Sequence, residues 1–268
     1  MQGVARAAGS PCAIVVPMDE KTLQLLVDLH RNNRRQGPGS DDAFQEMLIL
    51  SRMDVGAPLK IADIGCGTGS STIPLLGATN AQVTAVDAVP EFLETLKTKA
   101  QDLGLGDRLT TVEADMNGLP FQEQQFDAIW AEGAIYNIGF KQGIMGWKRF
   151  LKSGGVVVVS EITWLRSDIP NELRTHWESE YPEIDLASNK LALLEQNGYV
   201  PIGYFTLTPN CWLDEYYLPL QLSLEGFLQR NADHLQAKEI ADAEQREYEL
   251  YQRYQDYYSY GVYIAKKI

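Results

Sequence analysis

The sequence predicts an α/β fold in which a mostly parallel sheet is covered by helices on both faces. Short apolar runs alternate with segments of helical spacing over residues 59–161, which is typical of such sheets. The run at 59–64 breaks into Gly65-Cys66-Gly67-Thr68-Gly69, which indicates a buried strand that turns sharply into a helix. The β-branched run at 156–159 indicates a central strand buried on both faces.

The elements of this core follow one another in chain order. Pro90 opens one helix and Gly104 closes it, while Asp87 directly follows the second strand. Because ligands of such sheets bind beyond the carboxyl ends of the strands, the glycine loop and Asp87 are expected at one edge. The predicted strands are residues 59–64, 81–86, 108–112, 126–130 and 156–161, and the predicted helices are residues 70–76, 90–103 and 141–151.

The segments outside this core are predicted to form a helical cap. Ser40 is placed to cap a helix whose first turn carries Asp41 and Asp42. The Gly-Pro-Gly turn at 37–39 is either a connector or the edge of a lid over the site. We expect a flexible leader at residues 1–17 and a single domain at 18–268, in which residues 18–56 form cap helices, 57–208 the core, 209–258 a helical insertion and 259–268 the last strand.

The insertion carries Tyr248, Tyr251 and Tyr254 three residues apart, which predicts a packing stripe on a helix. Cys211, near its start, is either a packed side chain or a reactive thiol. The cap surfaces also suit a contact between two copies, so both a monomer and a homodimer stay open.

Charge and composition exclude several classes of function. The 268 residues carry a formal net charge of −13, which argues against binding to nucleic acid or to an anionic membrane. The three cysteines are widely separated, so neither a disulfide framework nor a metal site is expected, and the reducing cytoplasm fits best. The apolar run at 12–16 is too short for a signal peptide or a membrane span.

Acidic residues at the ends of the predicted strands indicate a ligand site. The amides of the glycine loop can bind an anion, and Asp63 before them can bind a cation. Asp87 can accept two hydrogen bonds from a ribose diol. Asp115 can accept one from an adenine amine, while Met116 contacts the neighbouring ring nitrogen and the ring face. This ordered set predicts a nucleoside ligand that carries adjacent opposite charges.

The same motifs resemble, in the same order, those of class I S-adenosylmethionine-dependent methyltransferases. The similar stretches are 63–69, Asp87, 113–116 and 126–127. The flanking stretches 35–40, 133–139 and 265–268 also resemble a group of bacterial small-molecule methyltransferases.

The resemblance implies a Rossmann-like sheet of seven strands whose last strand is antiparallel, with 199–207 and 261–266 as its sixth and seventh strands. It implies S-adenosyl-L-methionine as the cofactor. The residues expected to bind it are Gly39, Asp63, Gly65, Cys66, Gly67, Asp87, Asp115, Met116 and Glu132.

Two other functions share much of this pattern. A nicotinamide-dependent oxidoreductase would have a third glycine in its loop, where this chain has Ser70, or Thr72 in a shifted frame. A sensor or scaffold protein that binds the cofactor without turnover has the same fold, so the fold alone does not exclude it.

The expected reaction is direct methyl transfer to a small-molecule metabolite, with release of S-adenosylhomocysteine. Because the methyl group on a sulfonium is already activated, the enzyme mainly has to align the acceptor and exclude water. The sequence leaves open which atom of the acceptor is methylated. The candidate catalytic residues are Glu132, Tyr136 and Trp164.

Each candidate has a chemical and a structural interpretation. Glu132 is either a general base beside the sulfonium or a hydrogen-bond acceptor at a strand end. Tyr136, like Asn137, could orient the substrate, or it packs in the core. Trp164 either walls the pocket, where its ring could hold a cationic substrate, or belongs to the core. No Asn-Pro-Pro-Tyr loop and no cluster of metal-binding oxygens is evident.

Overall fold

One sheet of eight strands forms the centre of residues 19–268, the part of the chain that the computed structural model describes. Its strand order is β3-β2-β1-β4-β5-β8-β7, with β6 paired to β5. The strands are β1 (Lys60–Ile64), β2 (Gln82–Asp87), β3 (Leu109–Glu113), β4 (Phe126–Ala131), β5 (Leu151–Trp164), β6 (Asp185–Leu186), β7 (Tyr199–Thr206) and β8 (Tyr258–Lys267).

The strands β1 to β6 pair in parallel, and β8 runs antiparallel between β5 and β7. The predicted mostly parallel, Rossmann-like sheet is therefore confirmed, including its antiparallel last strand. The difference is the two-residue strand β6, which extends the expected seven strands to eight.

Helices cover both faces of the sheet and form the cap. The helices are α1 (Glu20–His30), α2 (Asp41–Ser51), α3 (Thr72–Ala78), α4 (Pro90–Asp102), α5 (Phe140–Trp147), α6 (Asn171–Glu180), α7 (Ala187–Gln196), α8 (Pro209–Trp212), α9 (Leu218–Arg230) and α10 (Leu235–Tyr254), with a π-helical turn at Leu213–Tyr217 and 3₁₀ turns at Gly106–Arg108, Ile135–Asn137 and Lys148–Phe150.

The two N-terminal helices are capped by side chains that satisfy their first free amides. Asp19 accepts the backbone N–H of Thr22 at 2.7 Å, and Ser40 accepts that of Ala43 at 3.1 Å. The cap predicted at Ser40 is confirmed. The predicted leader at residues 1–17 lies outside the described residues.

Strand β5 begins earlier than its β-branched run indicates. The glycine pair Gly154-Gly155 precedes the predicted strand 156–161, but it lies inside β5, where the pairing with β4 shifts register between Phe126 and Ala128. A Cβ atom at Gly155 would stand 3.0 Å from the carbonyl oxygen of Asp127. The glycine thus permits a close backbone approach within the strand, as at other irregularities of sheets.

The insertion packs its aromatic residues against the sheet side of the cap. Tyr251 is fully buried, and its ring stacks on Trp212 with 4.4 Å between centroids. Tyr248 and Tyr254 on the same helix are partly buried. The predicted packing stripe is confirmed at its centre. Among the described helices, none has both the length and the apolar character that crossing a membrane would require.

Candidate functional site

A cavity of about 330 Å³ opens at the carboxyl edge of the parallel strands. It lies where the loops after β1, β2, β3 and β4 converge, and the segment between α1 and α2 covers it. The side chains and backbone that line it belong to Arg35, Gln36, Gly37, Pro38, Gly65, Cys66, Gly67, Ser70, Val86, Asp87, Ala88, Phe92, Ala114, Asp115, Met116, Asn117, Glu132, Gly133, Ala134, Asn137 and Ile138.

Two positions of the glycine loop require glycine, because their backbone angles are left-handed and neighbouring atoms leave no space for a side chain. Gly65 and Gly67 have φ values of +73° and +53°, in the left-handed region that other residues rarely adopt. A Cβ atom at Gly65 would collide with the Cβ atom of Ala134, and one at Gly67 would stand 2.6 Å from Oε1 of Gln36. The loop therefore offers bare backbone to the cavity, which is suited to close approach by a ligand.

Asp87 holds the glycine loop as well as facing the cavity. Its Oδ2 accepts the backbone N–H of Gly67 at 2.9 Å, and its Oδ1 accepts that of Val89 at 2.9 Å. Burial raises the pKa of this carboxyl, and the two amides oppose that shift. Each oxygen keeps a lone pair that can accept a hydroxyl from the cavity.

Asp63 lies behind the cavity wall and does not line it. It is 1% exposed and accepts the hydroxyl of Thr72 at 2.5 Å. Burial raises its pKa to about 7, the hydrogen bond from Thr72 opposes the shift, and the charges of Glu132 and Asp87 add to it. The cation site expected at Asp63 is thus one layer removed from the cavity, where its charge acts through the wall.

Gly39 also lies behind the wall, under the pair formed by Arg35 and Glu132. Its N–H donates to the carbonyl of Cys211 at 3.2 Å. A Cβ atom there would stand 2.5 Å from Nη1 of Arg35 and 3.4 Å from Oε2 of Glu132. Gly39 therefore supports the lining residues from below.

Glu132 follows β4 directly and its carboxylate is held by three donors. Oε1 accepts from the hydroxyl of Ser71 at 2.7 Å and from Nε1 of Trp130 at 2.9 Å, and Oε2 faces Nη1 of Arg35 at 3.4 Å. The side chains of Arg35 and Glu132 are only 3% and 7% exposed. Glu132 thereby joins the end of β4 to the glycine-loop helix and to the segment between α1 and α2.

Gln36 links that same segment to the glycine loop. Its Oε1 accepts the N–H of Thr68 at 3.0 Å and the Thr68 hydroxyl at 3.2 Å, while its Nε2 donates to the carbonyls of His30 and Asn33, each at 3.1 Å. The sequence assigned no individual role to Gln36, whereas Arg35 belonged to the lid-edge interpretation as one of two arginines near a carboxylate. The available signal was the adjoining Gly-Pro-Gly turn at 37–39, whose interpretation as a lid edge agrees with the position of this segment.

Asp115 and Met116 lie on the rim beyond β3. Oδ1 of Asp115 accepts the N–H and the side-chain amide of Asn117 at 2.8 and 3.0 Å. The Met116 carbonyl accepts from Nε1 of Trp147 at 3.1 Å, and its methyl group would lie 3.5 Å from a Cβ atom at Gly65. The Met116 side chain thus lies close to the glycine loop at the rim of the cavity.

Two of the three candidate catalytic residues do not line the cavity. Tyr136 is 2% exposed and its ring meets the edge of Tyr181 with 6.2 Å between centroids. Trp164 is 8% exposed and packs edge-on against Tyr258. Tyr136 and Trp164 are therefore packing residues, because each side chain belongs to the hydrophobic core between sheet and cap.

Asn137, next to Tyr136, does line the cavity. Its Nδ2 donates to the carbonyl of Ala134 at 3.0 Å, whereas its buried Oδ1 has no hydrogen-bond partner in the described part of the chain. A buried acceptor without a donor is unusual in a folded protein and indicates a position that a ligand completes.

The cysteines and the acidic groups supply no further chemistry at this site. Cys66 is buried, and burial raises the pKa of its thiol. Cys211 is a buried free cysteine whose sulfur lies 3.4 Å from Oγ of Ser40, in agreement with a packing role. Within residues 19–268 no group of three or more potential metal-binding side chains comes together.

Comparisons with known proteins point to one family. Residues 61–155 match the family model described as a methyltransferase domain. Methyltransferase GfsG of Streptomyces halstedii is 32% identical over 115 residues, which cover 42% of this chain and 41% of that protein. The ubiquinone/menaquinone biosynthesis C-methyltransferase UbiE of Allorhizobium ampelinum is 31% identical over 145 residues, which cover 52% of this chain and 55% of that protein. The chain thus spans about half the length, or less, of these curated relatives.

Solved structures share the fold over nearly the whole chain. A methyltransferase from Geobacter sulfurreducens in complex with S-adenosyl-L-homocysteine aligns with a TM-score of 0.80 at 20% identity, covering 91% of this chain and 98% of that one. The [4+2]-cyclase SpnF aligns with a TM-score of 0.71 at 18% identity, covering 98% of each chain. Residues 61–155 therefore match a methyltransferase domain, and the chain around them has a fold that it shares with S-adenosylmethionine-dependent methyltransferases.

Proposed function

We propose that this protein uses S-adenosyl-L-methionine to methylate a small-molecule metabolite by direct transfer, releasing S-adenosylhomocysteine. One observation carries the proposal: the glycine loop, Asp87, the 115–116 rim and Glu132 converge on a single cavity. The matched methyltransferase-domain model supports the reaction class, and the convergence of these residues supports its location at the cavity.

The residues present fit the cofactor. Gly65 and Gly67 line the cavity with bare backbone, which suits close approach by the methionine part. The free lone pairs of Asp87 suit the ribose hydroxyls, and Asp115 with Met116 suits the adenine edge and face. Asp63 is buried behind the loop with a pKa raised to about 7, and a cationic amino group in front of it would favour its ionised form.

Bound S-adenosylmethionine supplies a methyl group that is already activated on a sulfonium. The protein therefore has to hold the acceptor in line and exclude water. In our proposal Glu132 acts by position: its carboxylate is occupied by Ser71, Trp130 and Arg35, so it adds negative charge near the sulfonium rather than removing a proton. The unpartnered Oδ1 of Asn137 is the group that orients the acceptor.

A small acceptor suits both the cavity and the relatives. The cavity holds about 330 Å³ and is partly covered by the segment between α1 and α2, which suits a small ligand. The names of the relatives include quinone and sterol C-methyltransferases, and these enzymes act on small molecules. The net charge of −13 disfavours a nucleic-acid substrate.

Cofactor binding without methyl transfer is the second candidate. The likeness to a structure named as a [4+2]-cyclase favours keeping it, because that chain shares the fold over its whole length. Fold likeness alone does not separate the two functions.

The deciding experiment is isotope transfer. The full chain is incubated with methyl-labelled S-adenosylmethionine and fractionated metabolites, and mass spectrometry identifies the labelled product together with S-adenosylhomocysteine. We expect one labelled class of small molecule in amounts that exceed the enzyme many-fold. Binding of the cofactor without any labelled product across broad metabolite pools would reject the transferase and favour the binding protein.

A further inference from the structure

Four buried polar side chains meet between the cap helices, outside the cavity. His30 is the last residue of α1, Glu244 and Glu247 lie one turn apart on α10, and Tyr216 lies in the π-helical turn. Their exposed fractions are 0%, 0%, 6% and 1% in that order. We call these four residues the cap cluster.

His30 and Glu244 lie against each other without completing their hydrogen bonds. Nε2 of His30 is 3.6 Å from Oε1 of Glu244, beyond hydrogen-bond distance. Among residues 19–268, neither nitrogen of His30 and neither oxygen of Glu244 has a hydrogen-bond partner. Folded proteins rarely keep a fully buried carboxylate without donors, because its desolvation is then uncompensated. A ligand that brings donors to Glu244 would remove that penalty.

The cap cluster is contiguous with the cofactor cavity. Gln36, which lines the cavity, donates to the backbone carbonyl of His30 at 3.1 Å. On the other side, the ring of Tyr260 lies over Gly133 of the cavity wall, where a Cβ atom would stand 3.2 Å from it. Burial raises the pKa of Tyr216, and the charges of Glu244 and Tyr260 add to this shift. The cap cluster therefore adjoins residues of the cavity wall.

The charges of the cap cluster select a cation. The cap cluster contains two carboxyl groups and only one imidazole, so its acidic groups outnumber its basic ones. A primary ammonium group is about the size of a water molecule, carries three donors and brings the missing positive charge. The aromatic ring of Tyr216 adds a surface that attracts cations.

We propose that the cap cluster binds the ammonium group of an amine-bearing methyl acceptor, with Glu244 as its counter-charge. The inference rests on the proposed function, since it names the class of acceptor that the transferase would use. The ammonium is the recognition end of that acceptor, and the accepting atom lies toward Asn137 at the cavity wall.

The test uses the full chain saturated with S-adenosylhomocysteine and three probes of equal size: n-butylamine, n-butanol and butyrate. Calorimetry and thermal denaturation at pH 7.5 measure binding. We expect butylamine to bind and to raise the melting temperature, while butanol and butyrate do neither. Equal effects of the three probes, or no effect of butylamine, would overturn the proposal.

Variants then locate the binding site. Glu244→Gln should weaken butylamine binding about tenfold or more, since it removes a charge-assisted contact, and should leave the affinity for S-adenosylhomocysteine unchanged. Glu249→Gln is the matched control, because Glu249 is exposed on the same helix. This variant should bind butylamine as tightly as the wild type does. Unchanged butylamine affinity in Glu244→Gln contradicts the assignment.

A second variant covers the case in which Glu244→Gln does not fold. Glu247→Gln lowers the same negative charge and should weaken butylamine binding by a smaller factor; an unchanged affinity there also rejects the proposal. Failure of the proposed function looks different. The wild type would then form no labelled methyl product from any acceptor, whereas titration of the protein with butylamine still measures binding at the cap cluster.

Discussion

The side-chain oxygen of Gln36 accepts the backbone N–H of Thr68 at 3.0 Å, across 32 residues of sequence. This bond joins the cap to the glycine loop at the edge of the cavity. It makes the geometry of the loop depend on a residue outside the sheet core.

Removal of this contact by Gln36→Ala should loosen the cofactor site. The N–H and the hydroxyl of Thr68 are buried and would lose their acceptor, which costs roughly 1–3 kcal/mol. We expect about tenfold weaker binding of S-adenosylhomocysteine by calorimetry. Gln229→Ala, which removes an exposed side chain on α9, serves as the control. Wild-type affinity in Gln36→Ala would show that the loop holds its shape alone.

Two substitutions at Asp87 should separate ligand binding from loop support. Asp87→Ala removes the acceptor of the Gly67 and Val89 amides, so it should lower both thermal stability and affinity. Asp87→Asn keeps one acceptor oxygen and the side-chain shape. It should retain most of the stability but bind S-adenosylmethionine about 10- to 100-fold more weakly. If Asp87→Asn binds the cofactor as the wild type does, the ribose assignment fails.

Asp63 should make the stability of the free protein depend on pH. Its pKa is raised from an ordinary 3.8 to about 7, so the fold favours the neutral carboxyl. This contribution is complete below about pH 4 and is lost as the pH rises through about 7, on the order of 4 kcal/mol in total. The Asp63→Asn variant has no ionisable group at this position, so it should not lose this stability as the pH rises.

The measurement is urea unfolding of both proteins at pH 5 and pH 8. The wild type should lose stability relative to Asp63→Asn over this interval. Parallel changes in the two proteins would show that Asp63 has the same pKa folded and unfolded.

Glu132→Gln tests whether this carboxylate holds the cofactor site in position or removes a proton from the acceptor. The substitution leaves the guanidinium of Arg35, with a side chain 3% exposed, beside a neutral amide. We expect a loss of about 1–3 kcal/mol in stability and weaker cofactor binding. A general base would behave differently: stability and cofactor affinity would stay, and turnover of the labelled acceptor alone would fall.

Asn137→Ala should lower turnover more than cofactor affinity, because Asn137 lines the cavity with an Oδ1 that has no hydrogen-bond partner among the described residues, while Nδ2 bonds Ala134. The comparison variant is Trp164→Phe, which alters a core residue away from the cavity and should lower stability only. Turnover with the acceptor found by isotope transfer, measured beside binding of S-adenosylhomocysteine, separates the two. Equal turnover in Asn137→Ala and the wild type would leave the acceptor without this contact.

The sheet core was predictable because its signals are local. The apolar runs, the loop glycines and the Pro90 helix start each lie within a few residues, and all appear where expected. The sequence patterns predict no helix or strand in residues 165–198, although this segment folds into α6, β6 and α7. Its helices are short and mostly polar outside, so their periodicity is weak; Leu173 and Trp177, four residues apart and buried, were the available signal.

The site was predictable in outline but not in its contacts. Arg35 and Glu132 lie 97 residues apart in sequence, and only folding brings the cap segment to the end of β4. Tyr136 sits beside Asn137, yet only Asn137 lines the cavity, because the 3₁₀ turn at Ile135–Asn137 directs one side chain inward and the other to the core. A one-residue difference of this kind depends on the turn geometry and has no sequence signal.

Strand β8 sets the order in which this protein can be assembled. It lies between β5 and β7, and it is made after the whole helical insertion. Until residues 258–267 have been synthesised, β5 presents an unpaired edge and β7 has no place in the sheet. Such edges invite pairing with other chains. The nascent protein is therefore most dependent on chaperones late in its synthesis, after its cofactor loop has already been made.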